Sequence, residues 1–159
     1  MSRLDSVIRR LTAQRDILDS LAEALKGVPG PILELGLGNG RTYDHLRELF
    51  PGRRIIAFDR HAHSFAQSTP DPEDMVLGEI RETIRAFVGS DAAMAHADIG
   101  TGHDDLDAET LTWLPDAMAG VLRPGGLAVS GLPLPHSLLV ELPVPAGIPD
   151  GRYFLYRRA

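Results

Sequence analysis

Residues 31–48, PILELGLGNGRTYDHLRE, decide the fold. Ile32 to Leu35 is an apolar run of strand length, and Gly36, Gly38 and Gly40 follow at every second position. Thr42 to Phe50 then puts Tyr43, Leu46, Leu49 and Phe50 on one helical face before Pro51 and Gly52 stop it. A buried strand that turns through glycines into an amphipathic helix opens a parallel sheet with helical crossovers. The glycines let backbone approach a ligand that side chains would hold away.

The same alternation continues downstream. Arg54 to Phe58 reads as a second strand running into Asp59, and residues 60–74 hold at most one short helical turn. A short third strand, Met75 to Leu77, leads through Gly78 into a helix from about Glu79 to Val88. The fourth strand, Ala92 to Ala97, ends at Asp98. After a loop rich in Gly, His and Asp comes a helix carrying Leu111, Leu114, Met118, Val121 and Leu122, closed by LRPGG before a fifth strand, Leu127 to Ser130. Two last strands, about Leu138 to Leu142 and Tyr153 to Arg157, are joined by a connection too short for a crossover helix and pair antiparallel. Upstream, apolar residues from Leu4 to Leu25 at helical spacing form an N-terminal amphipathic helix, with a capping box at Ser2 and Asp5 and a stop at Gly27. The expected organisation is this helix, residues 1–27, packed on or covering an α/β domain of residues 28–159 whose doubly wound, mostly parallel sheet binds its ligand beyond the strand ends.

Composition narrows the function. At 159 residues the chain is one domain, too small for a separate substrate domain, and 43% hydrophobic with 24% charged residues is ordinary globular usage. A net charge of -6, with only the Arg53-Arg54 and Arg157-Arg158 pairs as basic runs, argues against nucleic acid as partner. The absence of cysteine excludes disulfides, thiolate metal sites and a thiol nucleophile. No apolar run in the first residues has the form of a signal peptide or membrane span, so a cytoplasmic protein is expected.

Within the loop, Arg41 stands where a dinucleotide fingerprint needs its third glycine, which disfavours a nicotinamide dehydrogenase. Glu34, two residues before the first glycine, would repel a pyrophosphate but suits an ammonium group. First-turn N–H groups of the following helix suit a carboxylate. Asp59, at the end of the neighbouring strand, can accept both hydroxyls of a ribose. The ligand implied is an amino acid joined to a nucleoside.

These residues resemble the class I S-adenosylmethionine-dependent methyltransferases. ELGLGNGRT is similar to their first motif, IIAFD to their second, and LRPGG to the turn into their fifth strand; LGEIRET and AHADIGTG fall where that family places adenine contacts and its fourth-strand motif. The likeness covers roughly residues 30–158 and implies a Rossmann-like, seven-stranded, mostly parallel sheet with the last strand antiparallel. It implies S-adenosylmethionine as cofactor, with Gly36, Gly38, Asn39 and Gly40 lining its methionine end and Asp59 on the ribose. Glu79 and Ile80 would flank the adenine, and Asp98 would end the fourth strand near the sulfonium. Glu34, Thr42, Arg60, Gly78 and Ile99 complete the implied binding set.

The family's amino-methyltransferase signature is absent after the fourth strand, where this chain has DIGTG, so the resemblance names no acceptor beyond a small molecule or a protein side chain. A non-catalytic module that binds S-adenosylmethionine or S-adenosylhomocysteine is the alternative. GLPLPHS, between the fifth and sixth strands, is too short for the family's usual helix. The apolar segment GLPLPHSLLVELPVP points to a homo-oligomer. Asp98, His103, Asp104 and His136 are possible bases near the strand ends, with no firm assignment among them. His96, Asp98, His103, Asp104 and Asp105 lack the converging oxygens a hard cation needs, so no metal is expected. His61 and His63 read as surface residues, and Tyr43 as core or pocket wall.

Overall fold

A computed structural model describes residues 1–159. Helix α1 (Arg3–Leu21) begins with the capping box read from sequence: the Asp5 N–H donates to Ser2 Oγ and the Ser2 N–H to Asp5 Oδ2, both at 3.0 Å. Then follow β1 (Ile32–Leu35), α2 (Arg41–Leu49), β2 (Ile55–Asp59), β3 (Met75–Leu77), α3 (Ile80–Thr83), β4 (Ala92–Ala97), α4 (Asp104–Leu111), α5 (Leu114–Val121), β5 (Leu122–Ser130), β6 (Leu139–Leu142) and β7 (Phe154–Arg158). The strands form one seven-stranded sheet in the order β3-β2-β1-β4-β5-β7-β6. β7 lies antiparallel between β5 and β6, and the pairs among the first five strands are parallel. The chain reverses its winding direction at β1, so β1, β2 and β4 open a crevice at their carboxyl ends.

Several element boundaries differ from the sequence reading. α1 ends at Leu21, and a turn through Gly27, at φ 77°, carries buried Leu25 back to the core. The helix expected from Glu79 to Val88 is a single α-turn followed by a 3-10 turn, Ile84–Phe87. The helix around Leu111 to Leu122 is two helices, because Pro115 lacks an N–H and fits only the first turn of a new helix. That break sets Trp113 between α4 and α5. Residues 60–74 hold two 3-10 turns, Ala66–Ser68 and Pro72–Asp74, and no helix separates β5 from β6.

The sheet has two unlike faces. Alternation sends Leu33 and Leu35 of β1 to one side, where they join Ile56, Phe58, Ile84, Leu114, Met118 and Tyr156 beneath α3 and α5. It sends Ile32 to the other, where Ala13, Ile17, Leu18 and Leu21 of α1 pack beside Leu46 and Phe50 of the α2 region. On this face α1 extends the cover across to Val129, Tyr153 and Leu155. The apolar segment after β5 is partly absorbed, since Leu134 and Leu139 are buried while Leu138 and Val140 stay exposed. No helix is long and apolar enough to cross a membrane.

Candidate functional site

A cleft of about 750 Å³ lies over the carboxyl ends of β1, β2 and β4. Its floor is the glycine loop, Gly36 to Asn39, with Arg41 and Thr42 from the start of α2. One wall comes from Asp59, Arg60, Glu79, Ile80 and Arg81; another from Asp98, Ile99, Thr101, Leu106, Thr110 and Trp113; α1 closes the third side with Arg10, Leu11 and Gln14. This size is that of a cofactor pocket, roughly 300–1,000 Å³.

The three glycines serve different purposes. At Gly36, φ 93°, an added Cβ would come within 2.7 Å of the Ile99 side chain, and at Gly40, φ 86°, it would collide with the Ser68 carbonyl oxygen. Both are demanded by neighbouring protein. Gly38 alone has nothing within 4 Å of its would-be Cβ, so here the missing side chain leaves open space in the cleft. The Gly38 N–H donates to Asp59 Oδ2 at 2.9 Å, and the Arg60 N–H donates to Oδ1 at 2.7 Å. Asp59 is thereby fixed across the β1/β2 seam, and each carboxylate oxygen keeps a lone pair for a hydroxyl in the cleft. Gly40 caps α2 with no side chain, so it supplies no internal acceptor for the first-turn N–H groups.

Glu34 is placed differently from what its position before the glycines suggests. It is 1% exposed, does not line the cleft, and the one hydrogen bond of its side chain joins Oε2 to His96 Nδ1 at 2.7 Å. The parallel register sets Glu34 of β1 directly beside His96 of β4. Burial pushes the Glu34 carboxyl up. For His96, burial works downward but is outweighed by the carboxylates of Glu34 and Asp98, which hold the imidazole above its ordinary value. The pair therefore retains its protons to higher pH than the separate groups would. His96 Nε2 lies 2.6 Å from the Tyr153 hydroxyl, whose pKa burial drives well above normal.

Helix α1 supplies residues that local sequence patterns did not single out. The Arg10 guanidinium donates to both oxygens of Asp98, at 3.1 and 3.2 Å. The Gln14 amide donates to the Tyr153 oxygen at 3.1 Å and accepts from the Thr42 hydroxyl at 3.1 Å. These partners are 28 to 139 residues away from α1 in sequence, and only the docking of the helix brings them together. Trp113 likewise enters the wall through a helix break. The signal for that break, a proline two residues later, was in the sequence.

Of the expected set, Gly36, Gly38, Asn39, Thr42, Asp59, Arg60, Glu79, Ile80, Asp98 and Ile99 meet in the cleft, whereas Glu34, Gly40 and Gly78 lie outside its walls. Arg60 Nε pairs with Glu79 Oε1 at 2.9 Å, a bridge exposed enough to be worth little in stability. Among the possible bases only Asp98 lines the cleft. His136 Nδ1 accepts the Leu138 N–H, and its Nε2 stands 3.3 Å from Asp116. The acidic loop after β4 is organised by Asp107, which accepts the N–H groups of Thr101 and Gly102 at 2.7 and 3.1 Å. His61 and His63 are exposed with ring centroids 5.5 Å apart, Tyr43 is core, and no group of three acidic or histidine side chains is arranged to hold a metal ion. The donor set fits a nucleoside linked to an amino acid: a paired acceptor at Asp59, an open backbone cradle at Gly38, and a mixed apolar wall at Ile80, Ile99 and Trp113.

A family model described as S-adenosyl-L-methionine methyltransferase matches residues 1–158. Among solved structures, an S-adenosyl-L-methionine methyl transferase from Silicibacter pomeroyi DSS-3 is 40% identical, with a TM-score of 0.92 over 100% of this chain and 99% of that one. The 1,6-didemethyltoxoflavin-N1-methyltransferase of Burkholderia thailandensis, with bound 1,6-didemethyltoxoflavin and S-adenosylhomocysteine, shares the fold at 17% identity, TM-score 0.54, over 91% of this chain and 78% of that one. The 16S rRNA (adenine(1408)-N(1))-methyltransferase of Catenulisporales acidiphilia, with SAM, does so at 15% identity, TM-score 0.54, over 89% of each chain. A search of curated protein sequences finds no match.

Proposed function

We propose how the cleft works from one premise: the chain belongs to the S-adenosyl-L-methionine methyltransferase family and is an S-adenosylmethionine-dependent methyltransferase. Asp59 takes the ribose hydroxyls, and the backbone at Gly36, Gly38 and Asn39 with Thr42 receives the methionine part. Glu79 and Ile80 flank the adenine, with Ile99 and Trp113 across from them. Asp98 stands at the transfer end. The bound cofactor supplies a methyl group on a positively charged sulfur. The chain's own contribution is to orient the two reactants, which in well-aligned systems is worth roughly 7–11 kcal/mol of the barrier. Of the candidate bases read from the sequence only Asp98 lines the cleft, with both oxygens already accepting from Arg10, and no residue is assigned as a base. The acceptor is a small molecule or a protein side chain, a reading favoured by the net charge of -6 and by the lack of a basic surface run.

One observation carries the assignment: Asp59 is held by the Gly38 and Arg60 N–H groups in an orientation that leaves two acceptor sites toward the cleft. Calorimetric titration with S-adenosylmethionine, S-adenosylhomocysteine and NAD tests it. The first two bind and NAD does not. Asp59→Ala weakens S-adenosylhomocysteine by at least about tenfold, since hydrogen bonds to a charged acceptor are worth about 1.5–3 kcal/mol each; unchanged affinity would remove Asp59 from the ribose.

The chain is also proposed to self-associate. Leu4, at 68% exposure, and Ile8, at 53%, lie on the outer side of α1, and Val140, at 50%, lies on the edge strand β6. Light scattering at micromolar concentration should give more than the monomer mass, and a monomer overturns this.

A further inference from the structure

Five side chains form a continuous hydrogen-bonded file from the cleft to the buried Glu34. Starting at Thr42, which lines the cleft, the distances are 3.1 Å to Gln14, 3.1 Å on to Tyr153, 2.6 Å to His96 Nε2, and 2.7 Å from His96 Nδ1 to Glu34. Gln14 also stands 3.2 Å from His96 Nε2. Gln14, Glu34, His96 and Tyr153 are each at least about nine-tenths buried, so their donors and acceptors must satisfy one another.

The heavy-atom positions admit two complete proton arrangements. With a neutral imidazole, every donor points inward: the Thr42 hydroxyl to Gln14 Oε1, the Gln14 amide to the Tyr153 oxygen, the Tyr153 hydroxyl to His96 Nε2, and His96 Nδ1–H to the Glu34 carboxylate. Thr42 then shows only lone pairs to the cleft. A second proton on His96 occupies Nε2, which now donates to the Tyr153 oxygen. The Tyr153 hydroxyl must find another acceptor, and turning the Gln14 amide over provides its Oε1. The Gln14 nitrogen then donates to Thr42, whose own hydroxyl hydrogen is released toward the cleft. One proton gained at His96 converts Thr42 from an acceptor into a donor.

The charges around His96 favour the second proton. Glu34 faces it from β1 and Asp98 lies just past the end of β4; Tyr153 precedes β7, and α1 contributes neutral Gln14 and, bound to Asp98, Arg10. The carboxylates hold the imidazole above its ordinary value, and a negative group placed at the mouth of the file favours the protonated arrangement further.

We infer that binding of the cofactor's carboxylate beside Thr42 is coupled to uptake of a proton by His96, relayed through Tyr153 and Gln14. Glu34, His96, Tyr153 and Gln14 are then positioning residues that act on the ligand through Thr42. The proton comes from solvent and remains on the imidazole while the ligand is bound; no other bond changes.

This inference rests on the binding reading given above. Its test is titration of the whole protein with S-adenosylhomocysteine near neutral pH in phosphate and in Tris, whose ionisation enthalpies differ. The apparent binding heat should differ between the buffers by an amount corresponding to uptake of up to about one proton per site. Gln14→Met and His96→Gln should bind with heats that no longer depend on the buffer, and if His96→Gln does not fold, Gln14→Met decides. Binding by the unaltered protein with buffer-independent heat, or undiminished uptake in Gln14→Met, overturns the coupling and leaves the cofactor reading intact. No binding of S-adenosylhomocysteine at all removes both.

Discussion

The two faces of the sheet are buried to the same degree and built on opposite principles. Beneath α3 and α5 the core around Leu33, Phe58, Leu114 and Met118 holds no buried carboxylate or imidazole, whereas beneath α1 the same strands set Glu34 and His96, both at most 1% exposed, against Gln14 and Tyr153. An apolar filling of equal volume would often be as stable as such a pair or more so, because desolvating two charged groups offsets their attraction. The comparison teaches that the α1 face is not optimised for stability alone, and its polar file runs from the buried strands to the cleft.

The largest expected effect comes from halving the pair. His96→Leu leaves the Glu34 carboxylate without its partner and should cost about 3–5 kcal/mol in denaturant unfolding. The double replacement Glu34→Leu with His96→Leu should recover most of that loss; a double variant as unstable as the single would mean that the pair is needed for packing, and the contrast between the faces would fail. An intermediate effect is expected from pH. Both Glu34 and His96 have folded-state pKa values raised above the free groups, so the folded chain binds more protons than the unfolded one. The contribution of His96 is fully present below its ordinary value, near about 6.5, and is lost as pH rises through its higher folded value. Thermal melts should therefore show stability falling on that rise, and the double leucine variant should flatten the slope. The smallest effect belongs to the apolar face: Ile56→Val, at a 3% exposed position, should cost about 0.5–1.5 kcal/mol with no dependence on pH. A pH-dependent cost there would blur the distinction.

The fold was legible because its signals are local. An apolar run, alternate glycines and the next helix announce the first crossover, and each later strand repeats that grammar within a few residues. Asp59 could be found from the same rule, as the acid that ends the neighbouring strand. Glu34 was harder, because its environment depends on register. ILEL and AAMAHA each place one polar residue at the penultimate position of an apolar stretch, and parallel pairing sets Glu34 and His96 side by side. That equal offset was the available signal, and it points to a pair more than to a ligand contact. Arg10 and Gln14 gave no local sign. Their positions look like ordinary polar sites on an amphipathic helix, and only the docking angle of α1 turns them inward over Asp98 and Tyr153. The split at Pro115 shows the converse error, in which apolar spacing across two helices imitated one.

The wall at the α4/α5 break contains the only tryptophan of the chain. The indole emission of the protein therefore comes from one place, and that place is the cleft. Filling or emptying the cavity changes the polarity and quenching around Trp113 without competition from any other indole, so the molecule carries its own optical gauge of occupancy. Acceptor libraries can be surveyed by the colour and intensity of that one ring, before any turnover is measured.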